Sequence, residues 1–175
     1  MRPLLQVAAI GLAGLGVLAG CGGGTGPDEW AGRVCGALAP WRTRIADLNA
    51  EAQRQMTGAS TPEQARSHLL ALLAGGESAS ETARAAVAAA GTPDVDGGAE
   101  VAHRFAASLQ GARDAYAHAR ASIEVLSTQD TTAFYDGVVG VMARLNQEYT
   151  ASALDPSRLD SLELRRAFDG VEQCQ

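Results

Sequence analysis

The chain has 175 residues, a formal net charge of −6 and only 5% aromatic residues, and all 14 of its basic residues are arginine. That length accommodates one domain with its own core. The acidic balance excludes a nucleic-acid partner, which needs a basic footprint, and the lack of lysine excludes Schiff-base chemistry. Alanine dominates the apolar residues, a bias that favours helices over strands rich in Val, Ile and Tyr.

The first predicted element is a leader. Met1 and Arg2 give a short positive end, and residues 4–18 form an apolar run interrupted only by Gln6 and glycines. The run is short of the roughly 20 residues that a membrane span requires, and it fits a signal peptide. At its end, Leu18-Ala19-Gly20-Cys21 resembles the lipobox of bacterial lipoproteins, in which the cysteine is modified with diacylglycerol and becomes the mature N-terminus. Two acyl chains anchor stably where one binds only marginally. Residues 1–20 are therefore expected to be removed, leaving 13 basic and 20 acidic residues and a charge of −7. Residues 21–27 are expected to form a lipidated flexible tether, whose glycine-rich part spans roughly 12 Å. Residues 28–175 would be the folded domain, held at the outer face of the bacterial cytoplasmic membrane through Cys21. With Cys21 carrying lipid, Cys35 and Cys174 remain as a pair in a disulfide-permissive compartment. A bridge between them closes nearly the whole domain and is credited with about 5 kcal/mol by the chain-entropy argument.

The domain then reads as helices. From Asp28 to about Met56, apolar residues recur in steps of three and four at Trp30, Val34, Leu38, Trp41, Ile45, Leu48 and Ala52. Trp30 and Trp41 fall about 20° from alignment, so both are expected to face the core. Pro40 removes one hydrogen bond within this run and crowds Gly36, which predicts a kink or short break. The second helix is opened by Thr61-Pro62-Glu63-Gln64, a capping box with proline at the first helical position. Its expected seam is Ala65, Leu69, Leu72, Gly76, Ala79, Ala83, Ala86 and Ala90. Gly75-Gly76 interrupts the composition but not the spacing, so one long helix with a close approach at Gly76 and Ala79 is the favoured expectation, with a break at the glycines as the alternative.

Residues 91–98, "GTPDVDGG", form a turn by every local signal. The third helix follows to about Thr128, with Val101, Phe105, Leu109, Ala112, Tyr116, Ala119, Ile123 and Leu126 as its seam. Asp130 starts a fourth helix bearing Phe134, Val138, Val141, Leu145 and Tyr149. Asp155-Pro156 is expected to cap a shorter last helix carrying Leu159, Leu162, Phe168 and Val171. Long helices joined by short turns make an all-α, antiparallel four-helix-type bundle with a kinked first helix and a short C-terminal helix. An up-down course brings the chain end back to the first helix, as one Cys35–Cys174 staple requires.

No residue pattern carries catalysis. Asp94 and Asp96 stand at the first and third positions of an EF-hand-like loop, but Gly98, Ala99 and Phe105 occupy the fifth, sixth and twelfth positions. His68, His103 and His118 lack metal-ligand spacing. Asp114 and His118 are one turn apart and could pair on a helix surface, while Arg113 with Arg120 and Arg165 with Arg166 read as solvated charge. There is no GxSxG and no strand-linked phosphate loop. No enzymatic activity, metal or cofactor is expected.

The lipobox, "VCGALAPW" at 34–41, "GTPDVDGG" at 91–98 and the terminal "CQ" together resemble the small secreted lipoproteins of unknown function found in actinobacteria. The resemblance implies an exported helical domain and brings no activity or ligand with it. Gly75-Gly76 departs from its pattern. The expected role is a membrane-anchored, non-enzymatic binding or surface-organising domain whose partner the sequence does not name. The alternative is a carrier of an apolar small molecule between the helices, against which an Ala-rich seam counts because it draws helices together.

Overall fold

The structure, a computed structural model, describes residues 24–55 and 60–174. Five helices account for most of it: α1 (Pro27–Gln55), α2 (Pro62–Ala89), α3 (Gly98–Glu124), α4 (Thr131–Ser152) and α5 (Leu162–Gly170). The protein is all-helical with no named strand among the described residues, and its packing is that of a bundle. Cys35 and Cys174 are bridged, with their Cα atoms 5.1 Å apart. Cys21 lies outside the described residues.

α1 begins with Asp28 and Glu29 in its first turn, where carboxylates complement the helix dipole. It continues unbroken through Pro40, so of the expected kink or short break the break is absent. The physical reason is exposure: Gly36, whose carbonyl loses its helical donor, and Pro40 both lie on the outer surface. Water can serve that carbonyl there. Trp30 is fully buried, whereas Trp41 is only half-buried, so the two tryptophans take different roles.

α2 starts as expected, with the Thr61 hydroxyl accepting from the Gln64 N–H and the Gln64 side chain accepting from the Thr61 N–H. It runs without interruption through Gly75-Gly76. A Cβ on Gly75 would sit 2.6 Å from a Leu48 methyl of α1, and one on Gly76 would sit 2.6 Å from the Tyr116 ring of α3. The two glycines are therefore the places where neighbours on either side close onto α2. Its buried seam differs from the expected one at three positions: Leu73, Ser80 and Val87 are buried, in place of Leu72, Ala79 and Ala86. α2 packs more extensively on α3 than on α1. That preference rotates the seam by one residue and leaves Ala79 and Ala86 toward α1.

α3 buries its expected residues from Val101 to Ile123, with Leu126 partly buried beyond its end. α4 packs along α3, touches α2 marginally, and is capped by Asp130, which accepts from the Ala133 N–H at 2.9 Å. Among the described residues the α1 and α4 backbones never come within 8 Å, Cα to Cα. Asp155 caps only a 3-10 turn at Pro156–Arg158, and α5 starts later, capped by Ser161. Leu159 explains the interruption, because its side chain is buried while its backbone is extended at φ −66° and ψ 141°. Leu162, expected in the seam, is exposed, and Leu164, Ala167 and Phe168 face inward.

Two apolar clusters result. At the base, Trp30 meets Phe105 and Phe168 edge-on, with ring centroids 5.4 and 5.9 Å away, and Phe105 stacks on Phe168 at 5.3 Å. The Trp30 indole N–H donates to the Gly91 carbonyl at 2.9 Å, tying α1 to the α2–α3 turn. At the other end Leu69, Leu73, Ile123 and Leu145 form a second cluster.

Residues 24–26, assigned to the tether from sequence, are docked on that same turn. The Thr25 N–H donates to the Thr92 carbonyl at 2.9 Å, and the Thr25 carbonyl accepts from the Asp94 N–H at 2.8 Å. These bonds make a parallel bridge between Thr25 and Pro93.

The glycines make opposite predictions. Gly76→Ala gains about 1 kcal/mol of helix propensity but drives a methyl into Tyr116, and overpacking of about 1–3 kcal/mol makes the net change destabilising. Gly36→Ala meets nothing within 4 Å and is expected to stabilise by up to about 1 kcal/mol. Urea unfolding of the oxidised protein measures both signs.

Candidate functional site

The side of the bundle between α1 and α4 is closed by side chains. Trp41 projects from α1 and donates its indole N–H to the Ser80 hydroxyl of α2 at 3.1 Å. Ser80 is fully buried, so this bond satisfies a polar group that would otherwise be costly. On its other side Trp41 stacks on Tyr149 of α4, with centroids 6.4 Å apart and planes 20° apart. Tyr149 meets Tyr116 of α3 edge-on at 6.0 Å, and Tyr116 covers Gly76, one turn from Ser80 on α2. Four helices thus contribute to one layer, running Ser80, Trp41, Tyr149, Tyr116 and back to α2.

Trp41 lines two grooves. The larger, about 530 Å³, runs between α1 and α2 over Ala37, Pro40, Ala79 and Ala86, with Arg44 at its edge. Its origin is the rotated α2 seam: the alanines facing α1 are too small to fill the space between the helices. The expectation that small residues would close this interface therefore fails here. Gly36 also lines the groove, and Pro40 cannot supply the donor for its carbonyl, so the floor offers one backbone acceptor. The smaller groove, about 300 Å³, is lined by Trp41 together with Leu38, Phe105, Leu109, Tyr149 and Leu154. Arg42 stands at its rim and donates to the Gln173 carbonyl at 2.8 Å, fastening the chain end that carries Cys174.

Burial pushes the Tyr116 hydroxyl up to about 12, with the charge of Tyr149 adding to the effect, and burial also raises Tyr149. Both phenols are neutral over the physiological range. Neither is an activated base or nucleophile there.

The charged residues serve helix pairing. Arg113 and Arg120, read as solvated charge, reach across to α2, where Arg113 meets Glu81 at 3.1 Å and Arg120 meets Glu77 at 2.9 Å. Arg84 foremost, with Arg113, holds the Glu81 carboxyl down to about 2. Asp114 pairs with Arg113 at 2.6 Å, and His118 turns to Glu148 of α4 at 2.9 Å. The Asp114–His118 pairing open to the sequence is therefore not used. Asp94 and Asp96 lie in the turn before α3, and Gly97 provides its N-cap at φ +72°. Among the described residues no group of three or more His, Cys, Asp or Glu is placed to hold a metal ion.

The disulfide residues Cys35 and Cys174 are brought together as expected. Sequence reasoning missed the partnership of Trp41, Ser80, Tyr116 and Tyr149. One signal was present, since Ser80 lies at seam spacing between Gly76 and Ala83 and a polar residue there needs a partner. No family model, curated protein or solved structure matches this chain.

Tyr116 makes stability alkali-sensitive. Its folded pKa lies above the unfolded value of about 10, so the native state retains a proton that the unfolded chain loses. The Tyr116 contribution is expected to be constant below pH 10 and to fall between about pH 10 and 12, by about 2 kcal/mol. Denaturant titrations of the native protein and Tyr116→Phe across that range check it, and most of the slope should be absent from the variant.

Proposed function

We propose that this protein is a lipid-anchored, extracytoplasmic helical domain that acts by binding, with the grooves flanking Trp41 as its recognition surface. The observation that carries the reading is the position of Trp41. A large aromatic side chain is fixed by a hydrogen bond to buried Ser80, yet it is only partly buried and lines two largely apolar grooves. A pre-positioned aromatic beside apolar surface is the arrangement that binding hot spots use, because little side-chain entropy is lost on association. The Cys35–Cys174 bridge supports an oxidising compartment. The lipobox and the leader before it support anchoring through Cys21 at the outer face of a bacterial cytoplasmic membrane. Recognition, with no covalent step, is the role this surface suits.

A second reading, a carrier of an apolar small molecule, draws on the smaller groove. Its lining is mainly aliphatic and aromatic, with Ser108, Ser152 and Arg42 among it, and its volume of about 300 Å³ sits at the lower end of the usual ligand-site range.

Cys21→Ala is expected to move the protein from the membrane to the soluble fraction. Mass spectrometry of the native chain should find an N-terminal acylated Cys21 and no residues 1–20. Finding Cys21 unmodified in exported protein defeats the anchoring. A photo-crosslinking amino acid in place of Arg44, activated on intact cells, is expected to yield protein adducts. Adducts of small-molecule mass alone would favour the carrier.

A further inference from the structure

We infer that the link between lipid and domain is a strut, which holds the base of the bundle against the bilayer in one orientation. The inference rests on the lipid-anchor reading and adds an orientation to it. Its ground is the docking of residues 24–26. Thr25 exchanges two backbone hydrogen bonds with the α2–α3 turn, at 2.9 and 2.8 Å, and the Gly26 carbonyl accepts from the Trp30 N–H at 2.9 Å. Arg33 adds a bond to the Thr25 hydroxyl at 3.4 Å. Gly24 fits because it lacks a side chain, since a Cβ there would lie 3.0 Å from the Thr92 carbonyl oxygen and 3.1 Å from the Asp94 backbone. These contacts are anchored to the Trp30 cluster, the most deeply buried part of the molecule.

Covalent reach then fixes the geometry. Three residues of chain from Cys21 to Gly24 extend at most about 11 Å. The diacylglycerol of Cys21 must sit at the membrane interface, so the α2–α3 turn lies within about that distance of it. A flexible tether over residues 21–27 would let any face of the domain reach the surface. A docked strut confines the base, where Asp28, Glu29, Asp94, Asp96 and Glu100 are exposed, to the membrane side. Trp41 lies about 20 Å further along α1 from Pro27, at 1.5 Å per residue. Both grooves then open sideways above the headgroups, and the partner they fit is another molecule held at the membrane surface.

The test uses the mature acylated chain in phosphatidylglycerol/phosphatidylethanolamine vesicles with an acceptor dye on the lipid headgroup. A fluorescent amino acid is placed at Asp96 in one sample and at Gln129 in another. These positions lie beyond opposite ends of α3, a 27-residue helix about 40 Å long. Energy transfer from position 96 is expected to exceed that from position 129 several-fold. Equal transfer from the two overturns the strut while leaving the anchor intact. Unacylated Cys21, read by mass spectrometry on the same sample, overturns the anchor and the strut together. Gly24→Val should undock the segment and bring the two signals together with helicity retained. A second variant guards against loss of fold: six Gly/Ser residues inserted between Gly23 and Gly24 should leave Tm unchanged and lower the transfer from position 96. Unchanged transfer in that variant also overturns the strut.

Discussion

The bundle depends on a hydrogen bond between an indole and a buried hydroxyl. α1 and α4 are too far apart to pack as helices, so their side of the molecule is closed by Trp41 and Tyr149 stacked across the gap. Trp41 holds that position because its N–H is committed to Ser80, and Ser80 is tolerated inside α2 because Trp41 satisfies it. Each residue is the condition of the other's placement. The same indole lines both grooves left between the helices, so one interaction shapes both the closure of the fold and the surface beside it.

The base of the molecule is built on a different scheme. Trp30 is buried without remainder, packs edge-on against two phenylalanines and donates to the Gly91 carbonyl. The disulfide draws the chain end onto α1 one turn further along, and the Thr25 bridge secures the chain start at the α2–α3 turn. Both ends of the described chain are thereby fastened to one aromatic cluster. In the chain-entropy account a cross-link stabilises most where the loop it closes is long, and the two cysteines here are 139 residues apart.

Much of this architecture could be read from residue order. The helices, the Thr61 capping box, the α3 seam and the cysteine pair follow from spacing, capping chemistry and counting, whereas continuity through Gly75-Gly76 was left open by the sequence and settled by packing on both sides of α2. The α2 seam was harder, because a run of alanines supplies an apolar residue at every register and periodicity cannot choose between Leu72 and Leu73 or between Ala79 and Ser80. Packing against the larger α3 surface made that choice. The same holds for charge: Asp114 and His118 satisfy a spacing rule, but Arg113 and Glu148 offer better-placed partners across helices. Docking of residues 24–26 was invisible for a related reason, since a glycine-rich stretch reads as flexible until a facing backbone supplies its hydrogen bonds. The candidate site was legible only as a polar residue in an apolar register.

α4 packs chiefly against one neighbour and buries only Phe134 and Leu145, while Val139 remains 68% exposed on its outer side. Local stability follows buried apolar contact, so the free energy required to release this helix is the smallest of the four long helices. The disulfide, Trp30 and the Thr25 bridge all lie outside the part that would move. Release of α4 would therefore leave the covalently closed base in place while uncovering Trp41 and Tyr116.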